Sequence, residues 1–184
     1  MKLNISNILT LSRIVVIPII VACIYLKSPW YGWIAFILFC AASITDYFDG
    51  YLARKYNSVS EIGEILDPIA DKILIVFVLF GLAINLSSYF IGFFGALIIA
   101  REVWVGALRD FNARHNRSHL TKVSFLAKIK TTVQLFTIMS YLFGLAINNM
   151  LILVISDIFL LISFIITLYT GLEYTKNSFK GLLR

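Results

Sequence analysis

The chain alternates long apolar stretches with short polar breaks from end to end. The strict apolar runs cover residues 14–26, 29–44, 73–86, 89–100, 133–147 and 150–172. The first extends back to Ile8, the third back to about Ile65, and the fourth forward to about Leu108. A membrane-spanning helix needs about 20 mostly apolar residues. Six such runs with short connections therefore predict an all-α, polytopic integral membrane protein with six transmembrane helices. Several runs are shorter than a full crossing, which requires their polar ends to face protein or water.

The breaks carry the chemistry that ends helices. Pro29 suits the first turn of the second span, Asn85 to Ser88 separate the third and fourth, and Asn148 and Asn149 separate the fifth and sixth. Before Asn7, Leu3 and Ile5 suit a short interfacial helix dipping into the bilayer surface. A cleaved leader is the rival reading of the N-terminus. However, Arg13 interrupts the charged-then-apolar order and no small-x-small site follows Leu26, so the first span is expected to be retained. With no internal repeat or low-complexity tract, residues 1–184 read as one membrane domain.

Composition agrees. Sixty per cent of the 184 residues are apolar and 14% are charged, against about 45–50% and 25% in soluble domains. Disorder and a disulfide scaffold are excluded, and Cys23 and Cys40 read as small buried hydrophobes. The formal charge is +6, from 16 Lys and Arg against 10 Asp and Glu. Such an excess need not mean nucleic acid, because cytoplasmic loops of membrane proteins collect basic residues. Arg54 and Lys55 fall between the second and third spans; Arg114, Arg117 and Lys122 between the fourth and fifth; Lys176, Lys180 and Arg184 after the sixth. Lys27 alone among the basic residues falls on the other side. This predicts a cytoplasmic location for both termini and for the 2–3 and 4–5 loops, in a bacterial plasma membrane.

The informative polar residues are four aspartates. Asp46 and Asp49 are three apart at the end of the second span, and Asp67 and Asp71 four apart at the start of the third. On helices each pair shares a face, and an antiparallel helix pair brings all four together. Converging carboxylates repel one another and lose hydration, a cost that one or two divalent cations would cancel. All-oxygen ligation favours Mg²⁺, Mn²⁺ or Ca²⁺ over Zn²⁺. Gly50 and Ala53 share the Asp46 face and leave room for a bulky group, while Arg54 adds a planar fork suited to phosphate. Single aspartates near helix ends usually cap them, but four at paired spacings describe a metal–diphosphate site.

These residues resemble the signature of the CDP-alcohol phosphotransferase family, D-x2-D-G-x2-A-R-x8-G-x3-D-x3-D. Asp46, Asp49, Gly50, Ala53, Arg54, Gly63, Asp67 and Asp71 fill all eight fixed positions. The resemblance implies a six-helix, usually dimeric membrane enzyme that transfers a phosphatidyl group from a CDP-linked lipid to an alcohol, releasing CMP. It implies Asp46, Asp49 and Asp67 as metal ligands, with Asp71 at the metal site and acting as general base. Two Mg²⁺ or Mn²⁺ ions are implied, with Asp46, Asp49, Gly50, Ala53 and Arg54 around the CDP.

The acceptor is read from elsewhere in the chain. Arg101 and Arg109 lie about two helical turns apart at the cytoplasmic end of the fourth span. With Lys130 they would form a cationic pocket for a phosphate monoester, favouring a phosphorylated alcohol over a neutral one. Lys128 and Lys130 point in nearly opposite directions on a helix, so one is expected to face inward. The bland alternative is interfacial decoration by snorkelling side chains. Arg101–Glu102 and Arg109–Asp110 are expected to be poor ion pairs, because adjacent helical residues do not face each other.

Ala100-Arg101-Glu102, Leu108-Arg109, Lys128-Ile129-Lys130-Thr131 and Gly171-Leu172-Glu173-Tyr174 resemble the phosphatidylglycerophosphate synthase branch of the family. That branch implies sn-glycerol 3-phosphate as acceptor and CDP-diacylglycerol as donor, with Arg101, Arg109, Lys130 and Tyr174 at the acceptor phosphate. Asn7, Thr10 and Arg13, at helical spacing, are expected to line the same cavity. Inositol phosphate, phosphatidylglycerol and serine are the alternative acceptors within the family. Membrane lipids, a second copy of the chain and no nucleic acid complete the expected partners. An ion or proton transporter is the rival from another class, but transport sites sit near the bilayer midplane on broken helices, whereas these aspartates bracket a loop. Asp157, inside the sixth span, has no partner that the sequence supplies.

Overall fold

A computed structural model describes residues 5–55, 61–121 and 125–182, with side chains from 10–46, 66–121 and 125–180. Six α-helices account for nearly all of them: α1 (Ile5–Tyr25), α2 (Pro29–Lys55), α3 (Glu61–Asn85), α4 (Tyr89–Arg114), α5 (Phe125–Ala146) and α6 (Met150–Leu182). A single 3-10 turn, Ser118–Thr121, follows α4. Among the described residues, α4, α5 and α6 are each long and apolar enough to cross a membrane, and the Thr10–Tyr25 part of α1 is a shorter apolar helix. The protein is an all-helical integral membrane protein.

The helices outrun the apolar stretches that announced them. Arg54 and Lys55 belong to α2, Arg114 to α4, and Lys176 and Lys180 to α6, instead of the loops. Apolarity marks what a bilayer covers, whereas a helix continues until a cap or turn stops it. Most of the segment before Asn7, where a short interfacial helix is expected, lies outside the described residues; Ile5 and Ser6 belong to α1. Leu3 lies outside the described residues.

Three helix ends close in the same way. Ser87, Asn116 and Asn148 take left-handed backbone conformations, with φ of 49°, 57° and 50°. The following amides reach back to Ala83, Asn112 and Gly144 at 2.9, 2.7 and 3.0 Å, the pattern that satisfies the last carbonyls of a helix. Ser88 then caps α4 by accepting from the Ile91 amide at 3.3 Å. Asn149 starts α6 by accepting from the Leu151 amide at 3.0 Å.

Packing runs round a ring: α1 against α2, α2 against α5, α5 against α6, α6 against α4, α4 against α3, and α3 back against α1, with α3 and α5 also touching. The buried core draws on every helix, including Ile20, Phe39, Val78, Leu82, Ile98, Tyr141, Leu142 and Leu160. Gly32 makes the α2–α5 crossing possible, since a Cβ there would lie 2.9 Å from the Ala146 Cα. Many large apolar side chains stay exposed outside the ring, among them Phe80, Phe93, Leu151 and Ile165. For a chain in a bilayer this is a lipid-facing surface. Cys23 is buried and Cys40 half-buried, both as free thiols.

Candidate active site

Two polar clusters interrupt the apolar interior. The first joins α1, α2 and α3. The Arg13 side chain is 4% exposed and reaches three of the four signature aspartates. Its guanidinium donates to Asp46, to Asp71 at 3.0 Å and to Asp67 at 3.2 Å. Thr10, one turn earlier, donates to Asp67 at 2.7 Å. The three carboxylates are 38–44% exposed, so they line an open face above a buried cation.

Asp46 rides on α2, while Asp67 and Asp71 share a face of α3. The expected antiparallel pairing of α2 with α3 is corrected: among the described residues these helices do not touch, and α1, packed between them, brings Asp46 to Asp67 and Asp71 through Arg13. Asp49, Gly50, Ala53 and Arg54 lie on α2 and Gly63 on α3, but their side chains fall outside those described. The same holds for Asn7 on α1. Thr10 and Arg13, expected in the acceptor cavity with Arg101, Arg109 and Lys130, bond instead to the carboxylates, because α1 packs against α2 and α3.

The cluster suits a hard divalent cation in two respects. Its donors are carboxylate oxygens, and one guanidinium against three carboxylates leaves an excess of negative charge. Among the described residues no three acids already form a metal cage.

The second cluster joins α4, α5 and α6. Lys130 is buried at 7% exposure while Lys128 is exposed, which decides which of the two faces inward. Lys130 donates to Glu102, and Arg101 donates to the same carboxylate at 3.1 Å and to Thr170 at 2.7 Å. The Arg101–Glu102 pair corrects the expectation that these neighbours would not meet. Long side chains can bend to a common point beside the helix even though their Cβ atoms diverge, and Lys130 on α5 supplies that point. Arg109 donates to the Tyr174 hydroxyl at 3.1 Å. The Tyr174 ring, buried at 3% exposure, packs under both guanidiniums, at 5.1 Å from Arg109 and 5.8 Å from Arg101.

Gly171 makes room for this arrangement. A Cβ there would sit 2.9 Å from Arg101 Cγ and 3.0 Å from Nε. The Nε atoms of Arg101 and Arg109 are buried without a hydrogen-bond partner among the described residues. A buried donor left unmade is costly, and two of them beside a lysine suit an anionic ligand.

The clusters adjoin where α3 meets α4. Lys72, next to Asp71, brings its Nζ within 3.3 Å of the position a Gly106 Cβ would take. Gly106 stands on α4 between Glu102 and Arg109. Lys72 thus stands at the α3–α4 contact, next in sequence to Asp71 and against the helix that carries Glu102 and Arg109.

The family comparison agrees with this geometry. Residues 3–169 match the CDP-alcohol phosphatidyltransferase family. The chain belongs to that family. Among its relatives is a Rickettsia bellii (strain RML369-C) protein, 41% identical over 94% of both chains. A Shigella flexneri serotype 5b (strain 8401) protein is 32% identical over 100% of this chain and 99% of its own. An Escherichia coli (strain K12) protein is 38% identical over 73% of this chain and 74% of its own. All three are named CDP-diacylglycerol–glycerol-3-phosphate 3-phosphatidyltransferase.

For this family member the sequence overlooked two residues. Glu102 was visible only as a neighbour of Arg101, and its role as a hub appears when α5 delivers Lys130. Asp157 also gains a partner, since the buried Tyr141 donates to it at 2.5 Å. Sixteen residues separate them across the α5–α6 hairpin, so the pairing depends on that turn.

Proposed function

We propose that this protein transfers the phosphatidyl group from CDP-diacylglycerol to sn-glycerol 3-phosphate, forming phosphatidylglycerophosphate and releasing CMP. The observation that carries the choice of acceptor is the grouping of buried Lys130 with half-buried Arg101 and Arg109 around buried Tyr174, beside the aspartate cluster. Neutral alcohols have no need of three cations. The names of the relatives support the same donor and acceptor.

In this reading Asp46, Asp49, Asp67 and Asp71 hold Mg²⁺ or Mn²⁺, with two ions matching the acid count. Held there, such a metal would supply positive charge to the diphosphate and to the departing CMP. Gly50 and Ala53 leave space for the nucleotide, and Arg54 offers its guanidinium to a phosphate. Arg101, Arg109 and Lys130 hold the acceptor's phosphate and thereby aim its free hydroxyl. Asp71 accepts the hydroxyl proton as the new oxygen–phosphorus bond forms and the bond to CMP breaks. Arg13 and Thr10 hold Asp67 and Asp71 in place.

The same reading makes the enzyme a homodimer, the usual form of its family, in a bacterial plasma membrane. The basic residues concentrate on the side of the aspartates, which supports a cytoplasmic site and cytoplasmic termini. The test supplies CDP-diacylglycerol to purified protein in detergent and follows CMP release with separate acceptors. Glycerol 3-phosphate should give the highest turnover, ahead of inositol phosphate, phosphatidylglycerol, inositol and serine, and a chelator should abolish it. A preference for serine or inositol would overturn the acceptor; full turnover in chelator would overturn the metal.

A further inference from the structure

We infer that Glu102 is the positioning residue that sets the acceptor pocket for a doubly charged phosphate monoester. This rests on the acceptor reading above. Glu102 is itself partly buried, with its side chain 21% exposed. An acid half-sunk among membrane helices is expensive, and its contacts explain its presence. It accepts from Arg101 on its own helix and from Lys130 on α5. Two cations that would otherwise repel are thus held within reach of one carboxylate, on facing walls of the pocket.

The charge count follows. Arg101, Arg109 and Lys130 contribute three positive charges, and among the described residues the ion pairs of this cluster all end on Glu102. Among these four residues the balance is two positive charges, and the Lys72 ammonium beside Gly106 adds to the positive field at their edge. A phosphate monoester above its second pKa of about 6 carries two negative ones. Arg109 is held separately, by the Tyr174 hydroxyl, and makes no ion pair with Glu102 among the described residues. The unpartnered Nε atoms of Arg101 and Arg109 then provide donors that the ligand, and not Glu102, completes. Glu102 acts through the two cations it spaces and need not touch the reacting atoms.

Steady-state kinetics of Glu102→Gln, Glu102→Asp and Arg109→Ala test this, with inorganic phosphate as a probe of the pocket. Glu102→Gln should raise both the acceptor KM and the phosphate inhibition constant about tenfold, the scale of one lost charge-assisted contact. The fall in kcat at saturating acceptor should be smaller, and the KM for CDP-diacylglycerol should not move. Glu102→Asp, which keeps the charge on a shorter arm, should recover part of the loss. It also serves as the test if the glutamine variant does not fold. An acceptor KM and phosphate inhibition at the wild-type level in a folded variant would overturn the inference, as would an equal rise in the CDP-diacylglycerol KM. Arg109→Ala separates the two levels. If it raises the acceptor KM while the Glu102 variants do not, Glu102 loses its role and the acceptor reading stands. If neither moves it, the acceptor reading fails.

Discussion

Arg13 on α1 and Asp71 on α3 are joined by a 3.0 Å hydrogen bond across fifty-eight positions of sequence. The same guanidinium also holds Asp46 and Asp67, so one buried cation ties three helices at the signature. Replacing it with alanine leaves three carboxylates facing one another without that counter-charge. Arg13→Ala should lower the melting temperature in detergent and reduce turnover, whereas Arg13→Lys should restore more of the melting temperature than of the turnover. A lysine keeps the charge but cannot fork to several carboxylates. Thermal unfolding beside CMP release measures both; an unchanged melting temperature for Arg13→Ala would show that the tie contributes nothing to stability.

Asp71 is the proposed proton acceptor. Asp71→Asn keeps the shape but removes the basic oxygen, so turnover should fall about 10²–10⁴-fold, the range for positioned acid–base groups. CDP-diacylglycerol binding should be retained in large part. Normal turnover in this variant would remove Asp71 from that role.

Gly171 is tested by the smallest possible addition. A Cβ would press on Arg101 at 2.9 Å, so the guanidinium must shift away from Tyr174 and Thr170. Gly171→Ala should lower kcat/KM for the acceptor by about five- to a hundredfold, since overpacking costs about 1–3 kcal/mol. The KM for CDP-diacylglycerol should stay close to wild type. Equal losses for both substrates would point to general damage.

Tyr141 and Asp157 form a pair remote from both clusters, in the α5–α6 seam. Tyr141→Phe keeps the ring and deletes the donor. Hydrogen bonds between membrane helices contribute about 0.6–1.7 kcal/mol, so the melting temperature should fall modestly while the KM values for both substrates hold. A large change in either KM with no loss of stability would assign this pair a part in substrate binding.

Much was legible in one dimension because the physics is local. A bilayer demands long apolar runs, so the helices and their membrane setting follow from composition along the chain. Helix periodicity places Asp46 beside Asp49 and Asp67 beside Asp71 without reference to any other element. The turns at Ser87 and Asn148 fall where short polar residues tolerate a left-handed backbone. Tertiary structure decided what no spacing encodes: that Arg13 turns to the aspartates, that Lys130 and not Lys128 enters the pocket, and that Glu102 bridges Arg101 to Lys130. It also found the Tyr141 partner of Asp157. Each of these joins side chains on different helices or, for Arg101 and Glu102, side chains that meet because a third helix supplies the opposite charge. Hydropathy reports which face a helix buries, but the identity of the facing residue is set by how the six helices close their ring.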